Sequence, residues 1–343
     1  MAANPHSLSS SPSPAEPELL VGGQALIEGV LMRAPGAYGV AVRQPNGEIA
    51  LTRGKVANLA ARYPFLKLPI LRGIAVLFQS LALGMRALNF SALKAVEETV
   101  PAAAAGEPGA SGKPQAEISN LAIAGSMVMG IGMGVVVFLL LPLWLTQLSE
   151  RFLFGPLPSL VFNLVDGLLR ALFFIGYIFG ISRFKDIHRV FMYHGAEHKV
   201  VFNHEARLPL TVENARIQSR LHPRCGTSFL LFVLLVSILL FAFIPKTAPF
   251  LLKFGGRLLL VPVIAGLSYE VLRLTAKRRA APLFALLVWP GLMLQKITTQ
   301  EPTDDMLEVA IVALEEALRA DGLLPELAAP PPAELAAAGA LST

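Results

Sequence analysis

The sequence is poor in charge and poorer still in cysteine. Of its 343 residues, 15% are charged and 54% hydrophobic, against roughly 25% and 45–50% in soluble domains. That shortage of charge excludes a disordered chain, a basic protein that coats nucleic acid, and an ordinary soluble enzyme. Cys225 is the one cysteine, so no intrachain disulfide can form and a disulfide-stapled extracellular module is excluded. The first residues lack a basic stretch leading into an apolar core, so no cleavable signal peptide is expected and insertion relies on internal apolar segments. No long internal repeat is found. Neither G-x-G-x-x-G nor a Walker A loop occurs, and H-E-x-x-H, G-x-S-x-G and deaminase signatures are missing, which leaves nucleotide binding and several enzyme classes without support.

What is present are long apolar runs. We expect a mainly α, multi-span helical membrane protein of about four transmembrane helices, with a small N-terminal β element and a C-terminal amphipathic helix. The divisions are a disordered leader at 1–20, a β element at 21–56, an interfacial helical segment at 57–98 and an Ala/Gly/Pro linker at 99–117. A transmembrane domain follows at 118–300, then an acidic amphipathic helix at 301–322 and a disordered tail at 323–343. In the β element, Pro45-Asn46-Gly47 is a hairpin signal between Gly39–Arg43 and Glu48–Thr52, and Gln24–Met32 reads as a further strand. Arg72 and Arg86 bracket 13 uncharged residues, too few for a hydrocarbon core of roughly 30 Å at about 1.5 Å per residue. Residues 64–95 therefore read as an interfacial or bundle-packed helix.

The predicted spans are Ser119–Leu145, Leu160–Ser182, Thr227–Ile244 and Leu258–Thr275. Asp166 and Arg170 stand one helical turn apart in the second, where they can pair. Ala281–Leu294 is short and interrupted by Pro290-Gly291, so it reads as re-entrant or interfacial. Residues 183–224 hold eight Lys/Arg against four Asp/Glu. By the positive-inside rule this segment and both termini are cytoplasmic, although Lys246, Lys253 and Arg257 then fall on the outer side. In the C-terminal helix, Thr303 is a candidate N-cap, and Leu307, Ile311, Leu314 and Leu318 form the apolar stripe. The net charge of +5 is topological rather than a nucleic-acid footprint.

Chemistry concentrates in the middle loop. Five of the six histidines lie between 188 and 222. In Tyr193-His194-Gly195-Ala196-Glu197-His198-Lys199, helical spacing puts His194 and His198 on one face with Glu197 beside them, the inverted zincin order. Two imidazoles can hold a metal while the Glu197 carboxylate acts as general base. Gly195 inside the helix costs about 1 kcal/mol relative to Ala and weighs against the helical premise; the plain alternative is a pair of hydrogen-bonding surface histidines. His222-Pro223-Arg224-Cys225-Gly226-Thr227-Ser228 lies at the mouth of the third span, where His222 or Cys225 is placed to complete a ligand set, or Cys225 is simply a small buried hydrophobe. Glu270, ionisable within an apolar span, is a further candidate ligand or a salt-bridge partner of Arg273. Glu28 and Arg33 are polar within an apolar run and either pair with each other or face the site. Gly130-x-x-x-Gly134 and Gly176-x-x-x-Gly180 read as helix-packing faces.

With these blocks in view, the chain resembles the YqhQ-like family, domain of unknown function 1385, from about Gly22 to Ala313. The resemblance rests on Gly22–Arg33, on Tyr193–Lys199 and on His222–Ser228, extended by Ser268-Tyr269-Glu270 and Thr298-Thr299-Gln300-Glu301-Pro302. Gln300 stands where such proteins often carry a basic residue. The resemblance implies a bacterial-type multi-pass membrane protein of the plasma (inner) membrane, described as a predicted metal-dependent enzyme of unknown substrate.

The leading expectation is metal-assisted hydrolysis at the cytoplasmic membrane surface, on a lipid-linked or membrane-peptide substrate. His194 and His198 act as ligands, Cys225, His222 or Glu270 completes the shell, and Glu197 is the catalytic base. A divalent metal is expected, zinc first because the donor set is rich in nitrogen and sulfur, with iron or manganese if Glu270 coordinates. The rivals are a scaffold that docks a protein partner through the basic loop 183–224 or the helix at 303–320, and a transporter lined by Glu270, Asp166 and Arg170. Membrane lipids are expected partners and nucleic acid is not.

Overall fold

The computed structural model describes residues 21–57, 59–96, 120–245, 247–277 and 282–325. The expected leader at 1–20, the linker at 99–117, the tail beyond 325, and Lys246, Arg278 and Arg279 lie outside the described residues. The chain is mainly helical, with a small antiparallel sheet ahead of the helices.

The sheet is a four-stranded meander, β1 (Gly22–Leu26), β2 (Gly29–Arg33), β3 (Ala37–Arg43) and β4 (Ile49–Lys55), in that spatial order. The Asn46-Gly47 signal gives the β3–β4 hairpin: Arg43 faces Ile49 and Gly47 takes φ +89°. The expected single strand Gln24–Met32 is instead a hairpin, with Leu26 facing Gly29 across a turn at Ile27-Glu28 where Glu28 takes φ +53°. The turn escapes detection because β2 is covered on both faces and reads as an unbroken apolar run. Val30, Met32 and Ala41 join one core with residues of three helices, while Leu26, Leu31, Val40 and Val42 join another with Leu83, Ala87 and Phe90.

The helices are α1 (Leu59–Arg62), α2 (Leu71–Val96), α3 (Asn120–Val135), α4 (Leu141–Ser149), α5 (Ser159–Ile181), α6 (Lys185–Glu205), α7 (Val212–Arg216), α8 (Gly226–Phe241), α9 (Phe250–Lys277), α10 (Pro282–Thr298) and α11 (Asp304–Asp321). A wide π-type turn at Val136–Leu140 joins α3 and α4 into one continuous rod, which a second at Glu150–Phe154 extends. Helix α11 closes one face of the sheet. A Cβ on Gly39 would lie 2.5 Å from the Ala313 carbonyl oxygen and 2.6 Å from the Ala317 nitrogen, so glycine is what lets helix and strand approach. Thr303 holds the N-cap position in extended conformation, but its side chain makes no cap hydrogen bond.

Among the described residues, four helical stretches are long and apolar enough to cross a membrane: Leu71–Ala95, Val128–Phe154, Ser159–Ile181 and Phe250–Thr275. This set differs from the predicted one in two respects. The segment read as interfacial contains the continuous α2. The expected third span is the shorter apolar helix Gly226–Phe241. The segment read as re-entrant or interfacial rather than spanning is not among the four; its described part lies in helix α10, which runs unbroken through Pro290.

Helix α9 begins well before Leu258 because Arg257, read as a loop charge, is neutralised within the bundle. Its Nη1 lies 2.9 Å from Asp166 Oδ1 on α5, and Arg170 Nη2 lies 2.8 Å from Asp166 Oδ2. Both guanidinium groups sit over the Phe241 ring of α8, at 4.6 and 5.1 Å. Arg257 is 1% exposed and Lys253 7%, so two of the three cations that conflicted with the positive-inside reading are buried side chains rather than loop charges. The triad ties α5, α8 and α9 together, and losing one partner of such a buried set leaves uncompensated charge.

Candidate metal centre

Helix α6 carries the site. Its inner face, including Tyr193, Ala196 and Val200, packs into the core shared with β1, β2 and α11. His194 and His198, one turn apart, have ring centroids 4.5 Å apart. After α6 the chain reverses through Arg207 (φ +56°) and α7. The Thr211 hydroxyl caps α7 by accepting from the Asn214 amide at 3.3 Å, and the Asn203 amide donates to the Pro209 carbonyl at 2.9 Å. The reversal returns Arg220–Cys225 to the histidines.

The histidine rings are fixed by backbone. His194 Nδ1 lies 2.8 Å from the Thr298 carbonyl, and His198 Nδ1 lies 2.5 Å from the Arg220 carbonyl. A carbonyl only accepts, so both Nδ1 atoms carry the proton and both Nε2 atoms present a lone pair. Those lone pairs face Cys225, the N-cap residue of α8. His194 Nε2 is 3.1 Å from its sulfur, and the Thr227 amide and hydroxyl point at the same sulfur at 3.4 and 3.3 Å. The ligand atoms of His194, His198 and Cys225 all lie within 4.8 Å of one another. His198 Nε2 is buried and has no hydrogen-bond partner among the described residues.

Glu197 completes the cluster. Its Oε2 is 3.9 Å from Nε2 of both His194 and His198. Burial pushes its carboxyl above the ordinary value, against the opposing pull of His194, His222 and the Gly23 amide. Burial also holds His198 below its ordinary value, which keeps the imidazole in the neutral form a metal requires. Gly23 admits this arrangement. A Cβ there would lie 2.5 Å from the Leu31 carbonyl oxygen and 2.8 Å from Glu197 Cγ.

Two nominated ligands are engaged elsewhere. His222 Nε2 lies 3.1 Å from Glu205, and its Nδ1 accepts from the Arg224 amide at 3.3 Å. Its backbone is clamped by Gln295, which accepts from the His222 amide and donates to its carbonyl, both at 2.8 Å. With centroids 5.7 Å apart, the His222 ring backs that of His198. Glu270 is held by a bidentate pair with Arg72, whose Nε is at 2.6 Å, and by the Ile70 amide. Its expected alternative partner was Arg273, on the same helix, but the strong pair runs to Arg72 of α2.

Several contributors carried no readable signal. The Thr298 and Arg220 carbonyls act through backbone and leave no trace in side-chain identity. Gly195 has a clear purpose: a Cβ there would overlap the Gln300 carbonyl oxygen, and the Gln300 amide donates to the Phe191 carbonyl at 2.8 Å. The glycine that weakened the helical reading is what lets 298–300 cross α6. Glu28 and Arg33 do not pair with each other. Glu28 accepts from Arg189 Nη2 at 2.6 Å and from the Tyr193 hydroxyl at 3.3 Å, whereas Arg33 donates to Ser80 at 3.3 Å.

The cluster lines a cleft of about 880 Å³ whose other walls include Gln24, Arg33, Ser80, Leu83, Leu230 and Tyr269. It lies between the sheet, α2, the start of α8 and the last turns of α9. Fold and site together define a helical membrane protein with a buried histidine–cysteine–carboxylate cluster where the sheet meets the helices.

The chain belongs to the family described as Protein of unknown function (DUF1385), whose model matches residues 68–320. It is 37% identical over 307 residues to Uncharacterized protein YqhQ of Bacillus subtilis (strain 168), covering 88% of this chain and 93% of that one. No solved structure matches.

Proposed function

We propose that the protein is a zinc-type metal-dependent hydrolase of the bacterial plasma membrane, acting at the cytoplasmic surface on a lipid-linked or membrane-peptide substrate. The observation that carries this reading is the paired orientation of the histidines. Both Nδ1 protons go to backbone carbonyls, and both Nε2 lone pairs turn toward Cys225, one of them buried with no hydrogen-bond partner among the described residues. Hydrogen bonding of the remote ring nitrogen is how metal-binding histidines are held. Two nitrogens and one sulfur suit zinc, and three protein ligands match a catalytic rather than a closed structural site. With Glu270 held by Arg72, the oxygen-rich set that favours iron or manganese loses support.

Zinc supplies Lewis acidity at such a site. Glu197 supplies proton transfer: burial raises its carboxyl above the ordinary value, which favours accepting a proton at Oε2 and returning it to a leaving group. The Gly23 amide orients that carboxyl. Arg33, on the cleft wall, supplies a cation for an anionic substrate group. The excess of Lys and Arg in 183–224 favours a cytoplasmic site and cytoplasmic termini. The experiment is metal analysis of protein purified without chelators, wild type beside His194→Ala and His198→Ala. About one zinc per chain, lost in both variants, supports the reading, and wild-type protein without stoichiometric metal removes it.

A further inference from the structure

Helix α2 is long and apolar enough overall to cross a membrane, yet its neighbours are incompatible with crossing. Near its start, Gly73 abuts α9: a Cβ there would lie 2.8 Å from Tyr269 Cβ and 3.0 Å from the Gly266 carbonyl oxygen. Further along it lies on the sheet. Ser80 accepts from Arg33 at 3.3 Å, and Leu83, Ala87 and Phe90 pack with Leu26, Leu31, Val40 and Val42. Strand β4 and its hairpin expose Glu48, Arg53 and Lys55. Charged strands cannot sit in hydrocarbon, so the half of α2 that lies on the sheet is outside the bilayer core.

The opposite face of α2 is nevertheless apolar and uncovered by the described residues. Leu71, Leu77, Phe78, Leu81, Leu88 and Leu93 are exposed along its whole length, Phe78 at 65%. The apolar surface continues upstream into Phe65 and Leu68, at 57% and 56% exposure. Arg62 and Lys67 are exposed ahead of the helix, and Arg86 beside the stripe. The chain also changes direction sharply where α2 leaves α9. Ile70 takes φ +70°, a conformation that a β-branched residue adopts only under constraint. The constraint is Glu270, which accepts from the Ile70 amide and from Arg72.

We infer that α2 is an in-plane membrane-surface helix that docks on an anionic bilayer through its Leu71–Leu93 face, fixed at its start by the Glu270 clamp. The bilayer is the occupant because the stripe is continuous, at Gly73, with the bundle of membrane-crossing helices, and because its flanking cations match anionic headgroups. The inner face of the same helix, through Ser80 and Leu83, walls the cleft. The inference stands whether or not the cleft binds metal.

The test places single tryptophans at Leu71, Phe78, Leu81 and Leu88 in the full chain, with Trp144→Phe and Trp289→Phe as background. The protein is reconstituted in phosphatidylcholine–phosphatidylglycerol vesicles carrying acyl chains brominated near the headgroup or near the terminal methyl. Positions 71 and 88 lie about 25 Å apart along a helix. An in-plane helix gives similar quenching at all four sites, stronger from the shallow bromines. A spanning helix gives quenching by deep bromines that peaks at 78 and 81 and fades at one or both ends. That graded profile, or no quenching by either lipid because a second copy or water covers the face, overturns the inference.

Discussion

Replacing Gly195 with alanine sets two known magnitudes against each other. Gly195 lies inside α6, where an alanine favours the helix by about 1 kcal/mol. Against this, the new methyl overlaps the Gln300 carbonyl oxygen, a backbone atom with no rotamer to escape into. Segment 298–300 must move outward by on the order of 1 Å, at an overpacking cost of about 2–3 kcal/mol, the upper part of the usual range, because a backbone atom is displaced. That segment supplies the Thr298 carbonyl that holds His194 and is bonded to Phe191. Gly195→Ala is therefore expected to destabilise by about 1–2 kcal/mol net and to weaken zinc retention without touching a ligand. Denaturant unfolding in detergent gives the first quantity and zinc content after dialysis gives the second. A variant as stable as wild type or about 1 kcal/mol more stable, with zinc content unchanged, refutes the reasoning: it shows that the crossing over α6 does not require glycine.

Asp166→Asn leaves Arg170 and Arg257 buried without their carboxylate and is expected to cost about 3–5 kcal/mol, read as a lower midpoint of unfolding in detergent. Glu270→Gln weakens a partly exposed pair, at about 0.5–1 kcal/mol, and is expected to leave zinc stoichiometry unchanged; loss of zinc would return Glu270 to the ligand set. Gly23→Ala forces β1 away from Leu31 and Glu197, with an expected cost of about 1–3 kcal/mol in the same unfolding measurement. Burial lowers His204 below its ordinary 6.5. The unfolded chain then binds more protons below that pH, so this group's contribution to stability is present above 6.5 and is lost as pH falls toward the depressed folded value. His204→Gln is expected to flatten that part of the stability–pH curve, and an unchanged slope contradicts the assignment.

Local signals were legible where cause and effect are neighbours in sequence. Asn46-Gly47 gave its hairpin, Asp166 and Arg170 gave their pair, and the His194–His198 spacing gave a shared helix face. The fold departed from expectation where the decisive partner is remote. Arg257 looked like a loop charge because Asp166 is 91 residues away. Glu270 looked like a ligand because Arg72 is 198 residues away. The β1–β2 turn was hidden by a strand buried on both sides, where alternation disappears. Of the five nominated ligand positions, His194, His198 and Cys225 converge, while His222 and Glu270 support them from behind or lie apart. The sequence nominates all five but does not rank the last three, because the loop from 206 to 225 is positioned by bonds to backbone carbonyls such as that from the Asn203 side chain to Pro209.

X-ray absorption at the zinc edge, on protein loaded with one equivalent of zinc, tests the central claim most directly. Two imidazole nitrogens and one sulfur in the first coordination shell, with the sulfur lost in Cys225→Ser and an imidazole lost in His198→Ala, are the result this account predicts. A zinc spectrum without sulfur, or one unchanged by either substitution, would contradict it.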